Sequence, residues 1–222
     1  MTGALILDFD GTILDTEGPV YEAWRELWEA CGVTLEREFW QSLIGTEAGF
    51  DPWAALVDQV GPLDPNLQDH RRARRDELQA LESVRPGVLD WLEQASSLGL
   101  PVGIASSSPA EWVVGHLSRI GLLHRFGCIC CVSEEVPAKP DPALYLSACD
   151  GLGAAPGLSV AVEDSPHGVA SARAAGLYVI AVPHDLTADL DLSAADMVVG
   201  SLVAVALPDA LGRAAARSGL DR

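Results

Sequence analysis

Basic residues are scarce: Lys and Arg number 14 against 32 Asp and Glu in 222 residues, a formal net charge of −18. A surface of that sign repels the backbone of nucleic acid and an anionic membrane, so neither is expected as a partner. Long apolar runs are missing as well. No stretch reaches the ~18 residues of a transmembrane helix, and the chain arrives at Asp8 before any signal-like segment develops, which predicts a soluble, cytoplasmic protein. Cysteine is limited to 5 residues, an odd number. Cys128, Cys130 and Cys131 fall in an apolar stretch that reads as a strand, so reduced, buried thiols are expected. Cys128 and Cys131 have C-x-x-C spacing, but a strand turns them to opposite faces, and no second Cys pair or His pair completes a zinc site. Internal repeats and low-complexity segments are absent.

What is present is enough for a substantial core, with 49% hydrophobic residues. The run Leu5-Ile6-Leu7 has no polar alternation, as in a parallel strand covered on both faces, and it stops in Asp8-Phe9-Asp10-Gly11-Thr12. A block with helical spacing follows, including Tyr21, Trp24, Leu27, Trp28 and Cys31, then helices over 38–43, 53–60 and 66–81. From residue 84 onward, short apolar runs alternate with helices: 102–105, 128–132, 159–162, 179–182 and 197–199, with a last helix after Ser201. The pattern predicts an α/β fold with a Rossmann-like parallel sheet core and an inserted all-helical cap domain. Residues 1–15 and 83–222 would form the core and 16–82 the cap. Trp24, Trp28, Trp40 and Trp53 read as cap core or cap seam.

Four strand ends carry polar residues, and each has an ordinary reading as well as a chemical one. Asp8 and Asp10 form either an Asp-rich turn or an oxygen-ligand pair for a hard cation. Ser106-Ser107-Ser108-Pro109 is either a helix N-cap or a phosphate cradle of hydroxyls and free N–H groups. Lys139, framed by prolines, is a solvated loop residue or a fixed cation. Glu163-Asp164 either complements a helix dipole or brings two more carboxylates to the same sheet edge.

Taken together, Asp8-Phe9-Asp10-Gly11-Thr12, Ser106, Lys139-Pro140 and Glu163-Asp164 resemble, in order and over almost the whole chain, the haloacid dehalogenase superfamily, in its helical-cap branch of sugar-phosphate phosphatases and β-phosphoglucomutase. The resemblance implies that Asp8 is a nucleophile forming an aspartyl phosphate and Asp10 a general acid and base. It implies a Mg²⁺ site on Asp8, the Asp10 carbonyl, Glu163 and Asp164, and phosphoryl contacts from Gly11, Thr12, Ser106, Ser107 and Lys139. Asp10 separates the resembled phosphatases from dehalogenases and phosphonatases, which lack that acid. The expected reaction is Mg²⁺-dependent hydrolysis of a small phosphorylated metabolite, in particular a sugar phosphate.

A phosphomutase is the alternative, although the mutase branch has a cap arginine where this chain reads Gly45-Thr46-Glu47-Ala48-Gly49. A non-hydrolytic phosphoacceptor module is a further one. Thr46, Glu47 and Ser108 are candidate specificity residues. Arg71, Arg72, Arg74 and Arg75 either solvate the cap or send a guanidinium to an anionic substrate. His116, His124 and His167 have no assigned role, because Asp10 already supplies the acid and base.

Overall fold

The computed structural model describes residues 2–41 and 51–219. Its elements are β1 (Leu5–Leu7), α1 (Glu17–Ala30), α2 (Arg37–Gln41), α3 (Pro52–Val60), α4 (Asn66–Leu81), α5 (Val88–Leu98), β2 (Val102–Ser106), α6 (Ala110–Arg119), β3 (Cys128–Cys131), α7 (Ala143–Gly151), β4 (Val160–Glu163), α8 (Pro166–Ala174), β5 (Tyr178–Ala181), β6 (Met197–Val198) and α9 (Leu207–Ser218). The six strands make one parallel sheet in the order β3-β2-β1-β4-β5-β6. Leu5 pairs with both Val102 and Val160, so the C-terminal ends of β1, β2 and β4 lie side by side. The strand order reverses between β1 and β4, and ligands of open α/β sheets bind outside such a switch point.

Strand periodicity divides the core between the two faces. Leu5 and Leu7 pack with Trp91 and Leu92 of α5, Val113 and Leu117 of α6, and Ala210 and Ala214 of α9. Ile6 faces the other way, onto Tyr145 and Ala148 of α7 and Val169 and Ala172 of α8. Both faces of β1 are therefore dry, which explains its unbroken apolar sequence.

Helices α1–α4 enclose a cluster of their own, built from Trp24, Leu27, Trp28, Leu35, Trp40 and Leu56, with Leu186 inserted from beyond the helical block. In α3, Asp51 caps the first turn by accepting from the N–H groups of Trp53 and Ala54, and Pro52 takes the first helical position, where no N–H is needed. The chain leaves and re-enters the core through adjacent segments, bridged at Leu14 and Val84 and closed by a 2.9 Å bond from the Arg85 N–H to the Ile13 carbonyl. No helix among the described residues is long and apolar enough to cross a membrane.

The helices read from the sequence at 53–60 and 66–81 correspond to α3 and α4, and the strands shift by a residue or two. The end of the expected helix at 38–43 lies outside the described residues. All five cysteines are free, but only Cys149 is buried. Cys128, Cys130 and Cys131 are half-buried, not buried as expected, because β3 is an edge strand with one side unpaired. Cys131 packs on one face of the sheet and Cys130 on the other; the Sγ of Cys128 lies 3.5 Å from that of Cys130.

Candidate active site

Phe9 points into the core, so Asp8 and Asp10 on either side of it face out of the sheet edge. The Asp8 N–H continues the ladder to the Val162 carbonyl at 3.0 Å, and the chain then turns back as Thr12, Ile13 and Leu14 all donate to the Phe9 carbonyl. Gly11 sits at this turn with φ +76°, and a Cβ there would strike the Asp164 carboxylate and lie 2.9 Å from His184 Nε2. Only glycine allows the loop to pass so close to the second acidic pair.

Asp8, Glu163, Asp164 and Lys139 are all buried. Lys139 Nζ bonds the Asp8 carboxylate and lies 2.6 Å from Glu163 Oε1. It is the only lysine in the chain. Burial opposes its charge, but Asp8 and Glu163 outweigh burial and raise its pKa. Burial also lifts the Asp8 carboxyl well above the usual carboxylate range; Lys139 counteracts this, and Glu163, Asp164 and Asp10 add to it.

Glu163 is held on both oxygens: Oε1 accepts from Tyr145 Oη at 2.5 Å and from Lys139, while Oε2 accepts from the Asp164 N–H at 3.2 Å and Ser165 Oγ at 3.4 Å. Gly168, on the first turn of α8, has no side chain where a Cβ would overlap that carboxylate. Asp164 approaches Thr12 Oγ1 at 3.5 Å through Oδ1 and His184 Nε2 at 3.0 Å through Oδ2.

The loop after β2 has a division of labour that its triple serine concealed. Ser108 Oγ donates to Asp10 Oδ2 at 2.6 Å, and Ser106 Oγ lies 3.4 Å from the same oxygen. Ser107 instead accepts the Lys139 N–H at 3.1 Å, anchoring the lysine's backbone. The N-cap of α6 is Pro109, with no side-chain capping bond, so these hydroxyls are not consumed by the helix. Asp10 Oδ1 accepts from Thr16 Oγ1 at 2.6 Å and Trp112 Nε1 at 2.8 Å. Four donors thus fix the Asp10 carboxylate beside Asp8.

Besides Thr16, five contributors escaped the sequence reading: Glu17, Arg85, Trp112, Tyr145 and His184. Arg85 donates to the carbonyls of Gly11, Val182 and Pro183, joining the turn after β1 to the loop after β5. Glu17 is half-buried at the start of α1, and desolvation, with Asp10 and Asp164 adding charge repulsion, raises its pKa to about 7. Of the five, only His184 carried a usable signal, since it follows an apolar run as the motif residues do.

Among the expected candidates, Thr46 and Glu47 lie outside the described residues, as does the whole Gly45–Gly49 turn. The cap arginines are engaged locally. Arg71 stacks on Trp24 at 4.4 Å, Arg72 pairs with Asp69, Arg74 with Glu26 and Glu77, and Arg75 with Asp76. His116 packs on Trp112 and Phe9, and His167 stands on the first turn of α8. His124 precedes β3, at the sheet edge opposite the site.

The arrangement offers a buried carboxylate, a tethered cation, a second carboxylate two positions on, and an oxygen-only cluster. The ligand oxygens of Asp8, Glu163 and Asp164 lie within 4.8 Å of one another. A parallel sheet with this site at its switch point defines a phosphoryl-transfer class of α/β hydrolase. The model of the haloacid dehalogenase-like hydrolase family matches residues 2–176, and the chain belongs to that family as a phosphoric monoester hydrolase. It is 42% identical to YhcW of Bacillus subtilis (strain 168) over 192 residues, covering 86% of this chain and 87% of that protein. It is 28% identical to the fructose-1-phosphate phosphatase YqaB of Escherichia coli (strain K12), over 80% of this chain and 95% of the relative. The crystal structure of CbbY from Rhodobacter sphaeroides in complex with phosphate superposes with a TM-score of 0.75 at 27% identity, over 96% of this chain and all of the other.

Proposed function

We propose that the enzyme hydrolyses a small sugar phosphate through an aspartyl phosphate on Asp8, with Mg²⁺ as cofactor and residues 16–82 as the cap. The observation that carries the reading is the convergence of Asp8, Lys139, Glu163 and Asp164 at one buried sheet edge with Asp10 two residues from the nucleophile. The donor set fits Mg²⁺: it is made of oxygens alone, and three buried carboxylates face a single ammonium, an imbalance that calls for another cation. Asp8, the Asp10 carbonyl and Asp164 would hold the ion, with Glu163 acting directly or through water. Bound there, Mg²⁺ would offset the repulsion between an entering phosphate and the nucleophile.

The chain's own groups would do the rest. The Asp8 carboxylate attacks phosphorus, the P–O bond to the sugar breaks, and protonated Asp10 gives its proton to the leaving oxygen. A water then attacks the aspartyl phosphate, Asp10 takes the water's proton, and inorganic phosphate departs as Asp8 is restored. Gly11, Thr12, Ser106 and Lys139 would bind the phosphoryl oxygens, and Ser107 would keep Lys139 in place through its backbone. Thr16, Ser108 and Trp112 would aim Asp10. Ser108, Thr46 and Glu47 are the proposed specificity residues. Closure of the cap would exclude bulk water during transfer. The cytoplasm is the proposed setting, a reading supported by five unpaired cysteines.

Phosphate release from an aryl phosphate and from a panel of phosphorylated metabolites, with Mg²⁺ or with chelator, tests the reading. Asp8→Asn should lower turnover by at least about three orders of magnitude, as loss of a nucleophile does elsewhere, and chelator should abolish it. Undiminished release in Asp8→Asn would sink the mechanism. A bisphosphate formed during hexose phosphate interconversion would instead make the enzyme a mutase.

A further inference from the structure

The loop after β5 belongs to two parts of the molecule at once. At one end, Arg85 grips the Val182 and Pro183 carbonyls at 3.0 and 2.8 Å while also holding the Gly11 carbonyl. At the other, Leu186 is buried among Trp24, Leu27, Trp28, Trp40 and Leu56 of the cap. Of the buried residues in that cluster, Leu186 alone comes from the core side. The cap also holds the loop's backbone: Gln41 Nε2 donates to the Leu186 carbonyl at 2.9 Å, and Arg37 donates to the Asp185 carbonyl.

Between these ends the turn is tight. The His184 N–H donates to Thr187 Oγ1 at 3.0 Å, and the Thr187 N–H returns to the His184 carbonyl at 2.9 Å. His184 Nδ1 accepts the Leu186 N–H at 3.4 Å, which assigns the proton to Nε2 in the neutral ring. That Nε2 lies 3.0 Å from Asp164 Oδ2, where both side chains are buried. Only Asp185 therefore separates a side chain seated in the cap from one whose ring nitrogen lies against a proposed metal ligand, and a closed hydrogen-bonded turn keeps them in fixed relation.

We propose that the turn His184–Thr187 is a latch that couples seating of the cap to the orientation of Asp164, with His184 as the positioning residue. The inference rests on the metal reading above. Withdrawal of the cap would empty the pocket around Leu186 and slacken the turn, and the imidazole would no longer fix which oxygen of Asp164 faces the site. Partners of this kind, one bond removed from a metal, commonly govern ~10–100-fold in metal affinity.

The test is a double-mutant cycle on the full chain, read by calorimetric titration of Mg²⁺ into metal-free protein and by kcat and KM for an aryl phosphate. His184→Ala should weaken Mg²⁺ binding by about 10–100-fold and lower kcat more than it raises KM. His184→Asn, which retains an N–H donor, should recover part of both. Leu186→Ala should weaken Mg²⁺ binding several-fold although its side chain sits in the cap. The double variant should bind no more weakly than His184→Ala alone, because the cap's influence runs through the imidazole. Gln41→Ala removes a hold on the turn while leaving the apolar pocket filled, so a folding defect in Leu186→Ala does not decide the matter. If wild type binds Mg²⁺ and the two effects multiply independently, or if Leu186→Ala and Gln41→Ala leave Mg²⁺ affinity unchanged, the latch is wrong and the metal reading stands. If wild type binds no Mg²⁺, both fall.

Discussion

Glu17 illustrates how a residue's chemistry depends on neighbours far from it in sequence. Nothing in Asp15-Thr16-Glu17 distinguishes it from a surface acid, but folding places it near the carboxylates of Asp10 and Asp164 and removes much of its water. Its pKa rises from 4.5 to about 7, first through desolvation and then through Asp10 and Asp164. The folded protein therefore binds more protons than the unfolded chain between those values, and stability contributed at low pH is lost as pH rises toward 7. In chelator-treated protein, the melting temperature of wild type should drop between pH 5 and pH 8 relative to that of Glu17→Gln, whose side chain does not titrate. Parallel pH profiles for the two proteins would refute the assignment. The same dependence on folding explains why Tyr145 and Trp112 were invisible in the sequence. Each joins the site through one hydrogen bond to a carboxylate 18 or 102 residues away.

Elements with a full apolar stripe could be read directly. The helix α1 announces itself by Trp24, Leu27 and Trp28, and the same residues form its buried face. In contrast, α4 buries only Gln79 and is secured to α1 partly by Arg74–Glu26, an exposed pair of the kind that contributes little. The cap thus depends on a small cluster, and Leu56 on α3 is fully buried in it. Leu56→Ala should cost about 2–5 kcal/mol, localised to the cap. Hydrogen exchange should accelerate in α1 and α3 while β1 and β4 remain protected; uniform acceleration across the molecule would contradict a separable cap core. At the strand ends, reading by composition was less sharp. Glu163 was expected just past a strand and instead ends β4, buried, because Tyr145, Lys139, the Asp164 N–H and Ser165 satisfy its charge.

At the scale of the whole molecule, a net charge of −18 confronts an anionic substrate. Mutual repulsion slows encounter, and salt screens it as the Debye length falls from ~30 Å at 0.01 M to ~8 Å at 0.15 M. With Mg²⁺ saturating, kcat/KM for a phosphomonoester should rise over that range of ionic strength. A decrease would mean that local positive charge near Lys139 and Arg85 outweighs the global field.

The sequence by itself determined the parallel sheet, the helical insertion and the residues of the four motifs, because these rest on local periodicity and on side chains clustered at strand ends. The tertiary structure alone decided how those residues are held. Register of β1 against β2 and β4 brings Asp8 beside Glu163, Lys139 reaches it from beyond β3, and burial beside other acids resets the pKa of Asp8 and Glu17. Contact between the cap and the loop after β5 seats Leu186 and, through His184, reaches Asp164. Such relations depend on distances through space and on the water excluded there, and neither has a period or a spacing along the chain.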